Sequence, residues 1–300
     1  MATLKDMVDE VHSNLTGYTL RQDRVTYIAD ASGITTTDTT ITVPNENNLA
    51  NGIIEIDEEL IWVESFDNVS KKLNIAPGFG RGYRNTNPAP HSQYAQITLS
   101  PTFPKSVIKK AINDTINSVY PKIWAVSSTT FSYNPAQTTY ALPDDVQEVL
   151  AVTWQTVGPS KEWLSVKRWK QDRMANATAF NTNKTVSIYD RVTAGRTVQV
   201  WYTNQPNTLD ANTDDFADVS GLPETSQDVI ILGASYRLLS FIDAGRLNLT
   251  SAESDSANTK IPSGASVSSS KYIYALYQQR LNEESGKLQS QYPTKIHYTR

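Results

Sequence analysis

The sequence predicts an α+β protein: a helical bundle, built from an N-terminal, a central and two C-terminal helices, with two inserted antiparallel β modules. Three observations lead there. Apolar residues recur at helical spacing in four stretches that lie far apart in the chain. The two regions between them read in period two and are rich in Thr and Tyr, with Gly, Pro and Asn as punctuation. Each long helix carries an apolar face that needs a partner, and a bundle is the simplest way to supply one. The expected organisation is an N-terminal helix (1–20), a first β module (21–101), a central helix (102–124), a second β module (125–208), C-terminal helices (209–290) and a C-terminal tail (291–300).

The elements follow in order. Leu4, Met7, Val8, Val11 and Leu15 share one helical face, with Thr3 and Asp6 in capping-box positions. Thr39–Val43 is a strand, closed by Pro44 and an Asn-rich turn. Gly52–Ile56 and Glu59–Val63 flank Asp57-Glu58, the pattern of a tight hairpin. Leu73–Ala76 and Tyr94–Leu99 are strands on either side of a Gly/Pro/Arg-rich loop. From Lys105 to Tyr120, Val107, Ile108, Ala111, Ile112, Thr115, Ile116, Val119 and Tyr120 form a continuous apolar face, with Pro104 near N1 and Pro121 as the stop.

In the second β region, Thr138–Pro143 reads as extended and Val146–Trp154 as a strand. Trp163–Trp169 reads as a strand end or a short helix. Thr185–Tyr189 and Thr197–Tyr202 read as strands joined by a turn at Thr193–Arg196. The acidic stretch from Pro206 to Asp218 reads as a linker. Leu222–Ser226 starts a helix that runs to about Gly245. Residues 250–266 read as a loop and Val267–Leu288 as the last helix.

Composition narrows the function classes. Formal net charge is −4 over 300 residues, so no overall basic field draws nucleic acid. There is no cysteine, which excludes disulfides and thiolate sites. No apolar run approaches the length of a membrane helix, and the N-terminus lacks a signal-peptide core, so a soluble, cytoplasmically made protein is expected. Fifteen Tyr and six Trp with a 19% charged fraction fit a surface that contacts other proteins.

Few residues invite chemistry. The three histidines, His12, His91 and His297, fall in a helix, a loop and a tail, and no metal-ligand spacing accompanies them. Neither a phosphate loop nor a nucleophile elbow is present, and no cofactor is expected. Glu55, Asp57, Glu58 and Glu59 could be imagined as paired hydrolytic carboxylates. Hairpin-turn chemistry, with acids at the turn and on the solvent face, explains them better. Asp210, Asp214, Asp215 and Asp218 lack the spacing of a calcium loop and read as a solvated linker.

The loop Pro77–His91 is the densest concentration of Gly, Pro, Arg and aromatic residues in the chain. Its Arg81 and Arg84 have two readings: rigid guanidinium forks that recognise acidic groups on a partner, or ties to carbonyls within the loop. Both readings stand at this point.

Gly52–Val63, then Gly80-Arg81-Gly82-Tyr83-Arg84-Asn85-Thr86 and Ala89-Pro90-His91, resemble a β module that recurs in tailed-phage virion proteins. Asn85 stands where that module commonly has Gly, and Gln93-Tyr94 replace the residues that usually follow the His. Leu142–Val146, Ala194–Val198, Val200–Tyr202, Pro206 and the helix Asp228–Leu239 resemble phage head–tail adaptor (neck, connector) proteins. The resemblance implies a structural virion protein, not an enzyme, located in the neck between capsid and tail. It implies a homo-oligomeric ring, commonly a dodecamer, bound to the portal protein and to a tail or next neck protein, with DNA passing through the channel without sequence-specific binding. On that reading Arg81, Tyr83, Arg84 and His91 hold an inter-subunit or tail-facing contact. The tail residues Tyr292, Pro293, Ile296, Tyr298 and Arg300 dock on the portal. A tail or baseplate protein that binds host-surface carbohydrate through exposed Trp and Tyr is the second reading.

Overall fold

Alternating apolar residues between positions 24 and 99 build one curved sheet. The computed structural model describes residues 2–18, 23–44, 49, 51–158, 161–176, 178–250 and 265–292. Its chain divides into two units, one of residues Lys5–Ile112 and Ile231–Ile273, the other of Met1–Leu4, Asn113–Ile230 and Tyr274–Arg300.

After helix α1 (Leu4–Tyr18), the first unit contains β1 (Arg24–Tyr27), β2 (Thr40–Thr42), β3 (Gly52–Ile56), β4 (Glu59–Asp67), β5 (Lys72–Ile75) and β6 (Gln96–Leu99). They form one sheet in the order β1-β6-β3-β4-β5-β2, antiparallel throughout. Just past β1 the chain meets the opposite edge. Ala29 N–H donates to the Thr42 carbonyl (2.8 Å), and the Asp30 carboxylate accepts from Thr42 N–H (2.7 Å). The two edges are thereby tied, and the sheet curls around Ile28, Ile41, Ile54, Ile61, Leu73 and Ile97. The hairpin read at Asp57-Glu58 is present, pairing Ile56 with Glu59 and Gly52 with Val63.

Helix α2 (Lys105–Val119) begins directly after this sheet. Its Lys105 N–H donates to Glu55 Oε1 on β3 (2.6 Å), satisfying one of the donors that a helix N-terminus leaves open. Ile108, Ala111, Ile112, Ile116 and Val119 are buried, as their spacing predicts, whereas Val107 is 40% exposed.

The second unit carries two sheets. β7 (Ala125–Ser132), β8 (Thr139–Ala141), β9 (Glu148–Gln155), β10 (Trp163–Ser165), β11 (Trp169–Asp172), β12 (Thr185–Ile188) and β13 (Thr197–Asn204) follow in sequence. They sort into a four-stranded sheet β10-β9-β13-β7 and a three-stranded sheet β11-β12-β8, both antiparallel. Residues from both sheets, among them Tyr140, Val152, Val186, Ile188, Val198 and Val200, share one core, so the pair is a sandwich. The chain ends with α3 (Phe216–Ser220), α4 (Gln227–Thr250) and α5 (Ala265–Gln291). No described helix is long and apolar enough to cross a membrane.

Several expectations are corrected. The predicted helical bundle with two inserted β modules is not the architecture: the described residues hold thirteen strands in three antiparallel sheets against five α-helices. An apolar stripe shows that a helix is covered but not by what, and each β region here closes around a core of its own. The strands at 185–188 and 197–204 do not form a hairpin; they lie in different sheets of the sandwich. Trp163–Trp169 divides likewise between β10 and β11. The acidic 206–218 stretch is not a loose linker. Leu209 exchanges two hydrogen bonds with the Asn113 amide (2.9 and 2.8 Å), and Asp214 accepts from the N–H groups of Asp210 and Ala211. Asp215 caps α3 through Ala217 and Asp218 N–H. The loop read at 250–266 lies mainly outside the described residues.

Glu55 gives this fold a pH dependence. Burial pushes its carboxyl up to about 7, against the pull of the Lys105 N–H. The folded protein therefore keeps this proton to a higher pH than the unfolded chain. The sign is fixed: Glu55 favours folding fully below about pH 4.5, progressively less up to about pH 7, and no less beyond. Urea unfolding across that range should show a loss of about 3 kcal/mol from this group. In Glu55→Gln, which keeps an acceptor for Lys105, that portion of the slope should vanish.

Candidate functional site

The hairpin turn places Glu59 at the first position of β4, on the same face as Ile61 and Val63, whose side chains are core. A carboxylate there is cut off from water and must be satisfied by protein donors. The Pro77–His91 loop supplies them. Glu59 Oε1 accepts from Arg81 Nε (2.7 Å) and Gly82 N–H (2.9 Å). Oε2 accepts from Arg81 Nη2 (2.8 Å) and Ala89 N–H (3.1 Å), and lies 2.9 Å from His91 Nε2. The Glu59 side chain is 0% exposed.

Arg81 has further duties in the same place. It donates to the carbonyls of Thr35 and Ala89, so one guanidinium ties together the 35–38 segment, β4 and the far limb of the loop. His91 is locked twice. Its backbone pairs with Ile34 in both directions (2.8 and 2.9 Å), and its Nδ1 lies 2.7 Å from Asp57 Oδ2 at the hairpin turn. With a carboxylate at each ring nitrogen, the form that satisfies both is the imidazolium, which donates twice.

The electrostatics follow. Burial alone would raise Glu59, but the hydrogen bonds from Arg81, His91, Ala89 and Gly82 outweigh it and hold the carboxyl at about 2. Burial opposes charging of His91, yet Glu59 and Asp57 shift it above the ordinary imidazole value. Two carboxylates, one guanidinium and one imidazolium make the cluster neutral.

The loop backbone is fitted to this cluster. Gly80 is wedged between β4 and β5: its carbonyl accepts from Trp62 N–H (2.8 Å), and a Cβ there would sit 2.4 Å from the Ala76 carbonyl oxygen. Gly82 takes a left-handed conformation (φ +61°), and a Cβ on it would meet the Thr86 carbonyl at 2.6 Å. Thr86 Oγ1 in turn accepts from Leu60 N–H (3.0 Å).

The outer face of the loop is different. Tyr83 packs on Trp62 of β4, ring centroids 5.3 Å apart, and the Arg84 guanidinium lies over Tyr83 at 5.7 Å. Arg84 is exposed and has no carboxylate partner among the described residues. It stands on the wall of a groove of about 450 Å³ whose other sides include Ile53, Trp62, Pro101, Pro104 and Val107.

Of the four residues read as one partner contact, Arg81 and His91 are thus turned inward to hold the loop, while Tyr83 and Arg84 face out. Tyr292 is half exposed, and Pro293, Ile296, Tyr298 and Arg300 lie outside the described residues. The expectation that the acids at 55–59 lie at the turn and on the solvent face fails for Glu55 and Glu59, both buried. Strand alternation could have revealed Glu59, because it shares its parity with Ile61 and Val63. In the 210–218 stretch the carboxylates of Asp214 and Asp215 serve backbone N–H groups, and no metal-ligating cluster is found among the described residues.

A charge-neutral cluster, buried at Glu59 and His91, that fixes the shape of a loop on a protein made of closed β cores defines a structural module. The matching family model is that of the SU10 adaptor protein, over residues 91–293, about two thirds of the chain. The chain belongs to this family of phage adaptors. The match begins at His91, so β1 to β5 and most of the Arg81 loop precede it. No curated protein matches the chain.

The inward and outward arginines should separate in unfolding measurements. Arg81→Ala, which strands the buried Glu59 charge, should cost about 3–5 kcal/mol, whereas Arg84→Ala should stay within about 0.5 kcal/mol of the parent. The cluster also titrates on both sides. The His91 contribution is complete below about pH 6.5 and is lost as pH rises through its raised folded value. The Glu59 contribution is complete above about pH 4.5 and is lost as pH falls toward 2. His91→Gln should abolish the alkaline limb of this dependence and leave the acid limb in place.

Proposed function

We propose that this chain is a head–tail adaptor subunit, a structural component of the virion that assembles as a ring between the portal and the tail, around the passage for DNA. The observation that carries the reading is membership of a phage adaptor family over two thirds of the chain. The Glu59 cluster supports it. It gives a long loop one conformation without any contribution from a partner, and it displays Tyr83 and Arg84 beside a groove. A surface prepared in this way suits repeated contacts that must be identical in every subunit. The acidic net charge is in keeping with a channel that lets DNA pass without gripping it.

In this assignment the partner contact falls on Tyr83 and Arg84, with Arg81 and His91 as the residues that position them. Arg84 would meet a carboxylate of the neighbouring protein at the groove mouth. The C-terminal segment 291–300 would dock on the portal.

Light scattering and negative-stain imaging of the full chain, alone and with the portal protein of its phage, test the reading. Rings are expected in at least one condition; a monomer in both would overturn it. Arg84→Glu should block the assembly with no change in the thermal midpoint beyond about 2 °C. Removal of residues 291–300 should leave the fold intact and abolish co-sedimentation with the portal.

A further inference from the structure

The four-stranded sheet of the sandwich ends in two edges, β7 and β10. At β7, Tyr133 exchanges hydrogen bonds with the turn at Gly195 and Arg196, and the register runs on without a shift to Asn204↔Ala125. Antiparallel alternation then turns the N–H and C=O of Val126, Ser128, Thr130 and Ser132 away from β13. At β10, Thr156 N–H donates to the Glu162 carbonyl and Val166 N–H to the Val152 carbonyl, which turns Trp163 and Ser165 outward in the same way. No described residue hydrogen-bonds any of these outward backbone groups.

Neither edge is defended. Eight residues of β7, from Ala125 to Ser132, carry no charge, proline or bulge, and Ser128, Thr130 and Ser132 are exposed. A bare edge of this length is a template for another strand. All three residues of β10 are exposed, Trp163 at 44% and Leu164 at 45%.

Two features point to a second copy of this chain as the occupant. β7 runs parallel to β9, and β10 antiparallel to it, so the two edges run in opposite directions. A copy displaced along the sheet therefore brings its β10 alongside β7 in the antiparallel sense, and the alternation of strands continues unbroken. The second feature is the row Leu164–Trp154–Val198–Phe131, which crosses the sheet from edge to edge. It ends at each edge in an apolar side chain that is incompletely covered, and the displaced copy would set Leu164 beside Phe131.

We propose that β10 of one copy pairs with β7 of the next, so that the four-stranded sheet continues from subunit to subunit. The contact is heterologous, the kind that closes into a ring. It rests on the ring reading above and names a contact between copies in addition to the Tyr83 and Arg84 surface.

The chain has no cysteine, so thiols can be placed at will. Thr130→Cys and Ser165→Cys lie on one row of the solvent face, Ser165–Thr153–Gln199–Thr130, about 14 Å apart within a copy. Treated with a short bis-maleimide, the full-length double variant should give a ladder of covalent multimers, and neither single variant should. Ser128→Lys added to it should remove the ladder while the thermal midpoint holds. Covalent dimers from Thr130→Cys alone would mean that β7 pairs with itself, and would overturn the proposal. So would a ladder that survives Ser128→Lys. Rings by light scattering without any ladder would overturn this contact and spare the ring reading; the absence of both would overturn both.

Discussion

The Glu59 carboxylate is the constraint on which the first β unit is arranged. It has no access to water, and an unpaired charge in that position would cost several kcal/mol. Everything near it follows from that requirement. Arg81 must reach it edge-on with two nitrogens, the backbone of Gly82 and Ala89 must approach, and His91 must close the last side. The glycines of the loop are where they are because the chain has to pass close to β4 and β5 to bring those donors in. The cluster does for this loop what an apolar core does for a strand, with the difference that it accepts only one geometry.

Two consequences of that choice are physical rather than sequence-specific. A buried charged cluster contributes less net stability than an apolar replacement would, because each ion is first stripped of water. What it supplies is a penalty for every other arrangement, since any displaced donor leaves Glu59 unmet. The second consequence is a working range in pH. Glu59 weakens the fold in acid, and His91 and Glu55 weaken it as pH rises. These opposed signs place the stability optimum of this part of the molecule in mild acid.

Much of the local structure was legible. The hairpin around Asp57-Glu58, the strands at 40–42, 72–75 and 96–99, and the stripe of α2 are all present where alternation and helical spacing put them. Pairing was less legible. Thr193–Arg196 is a competent turn, yet the strands it joins belong to opposite sheets, because a turn fixes proximity in sequence and not the choice of neighbour. The architecture as a whole was misread for a related reason: amphipathic stripes reveal burial without revealing what buries them. Glu59 reads from the sequence as a solvated turn acid, because an acid beside a turn usually is. The parity of β4, which places Glu59 with Ile61 and Val63, is the sequence signal that points inward. Arg81 and Arg84, three residues apart and chemically identical, were separable only once the inward path of the loop was known.

The central claim is that His91 is an imidazolium clamped between Asp57 and Glu59. Its direct test is a nitrogen-15 NMR titration of the histidine side chains in the full-length protein. Both ring nitrogens of His91 should carry protons to a higher pH than in a free imidazole, with the titration midpoint displaced upward from about 6.5. A neutral His91 at pH 7, with one unprotonated nitrogen and an ordinary midpoint, would contradict it.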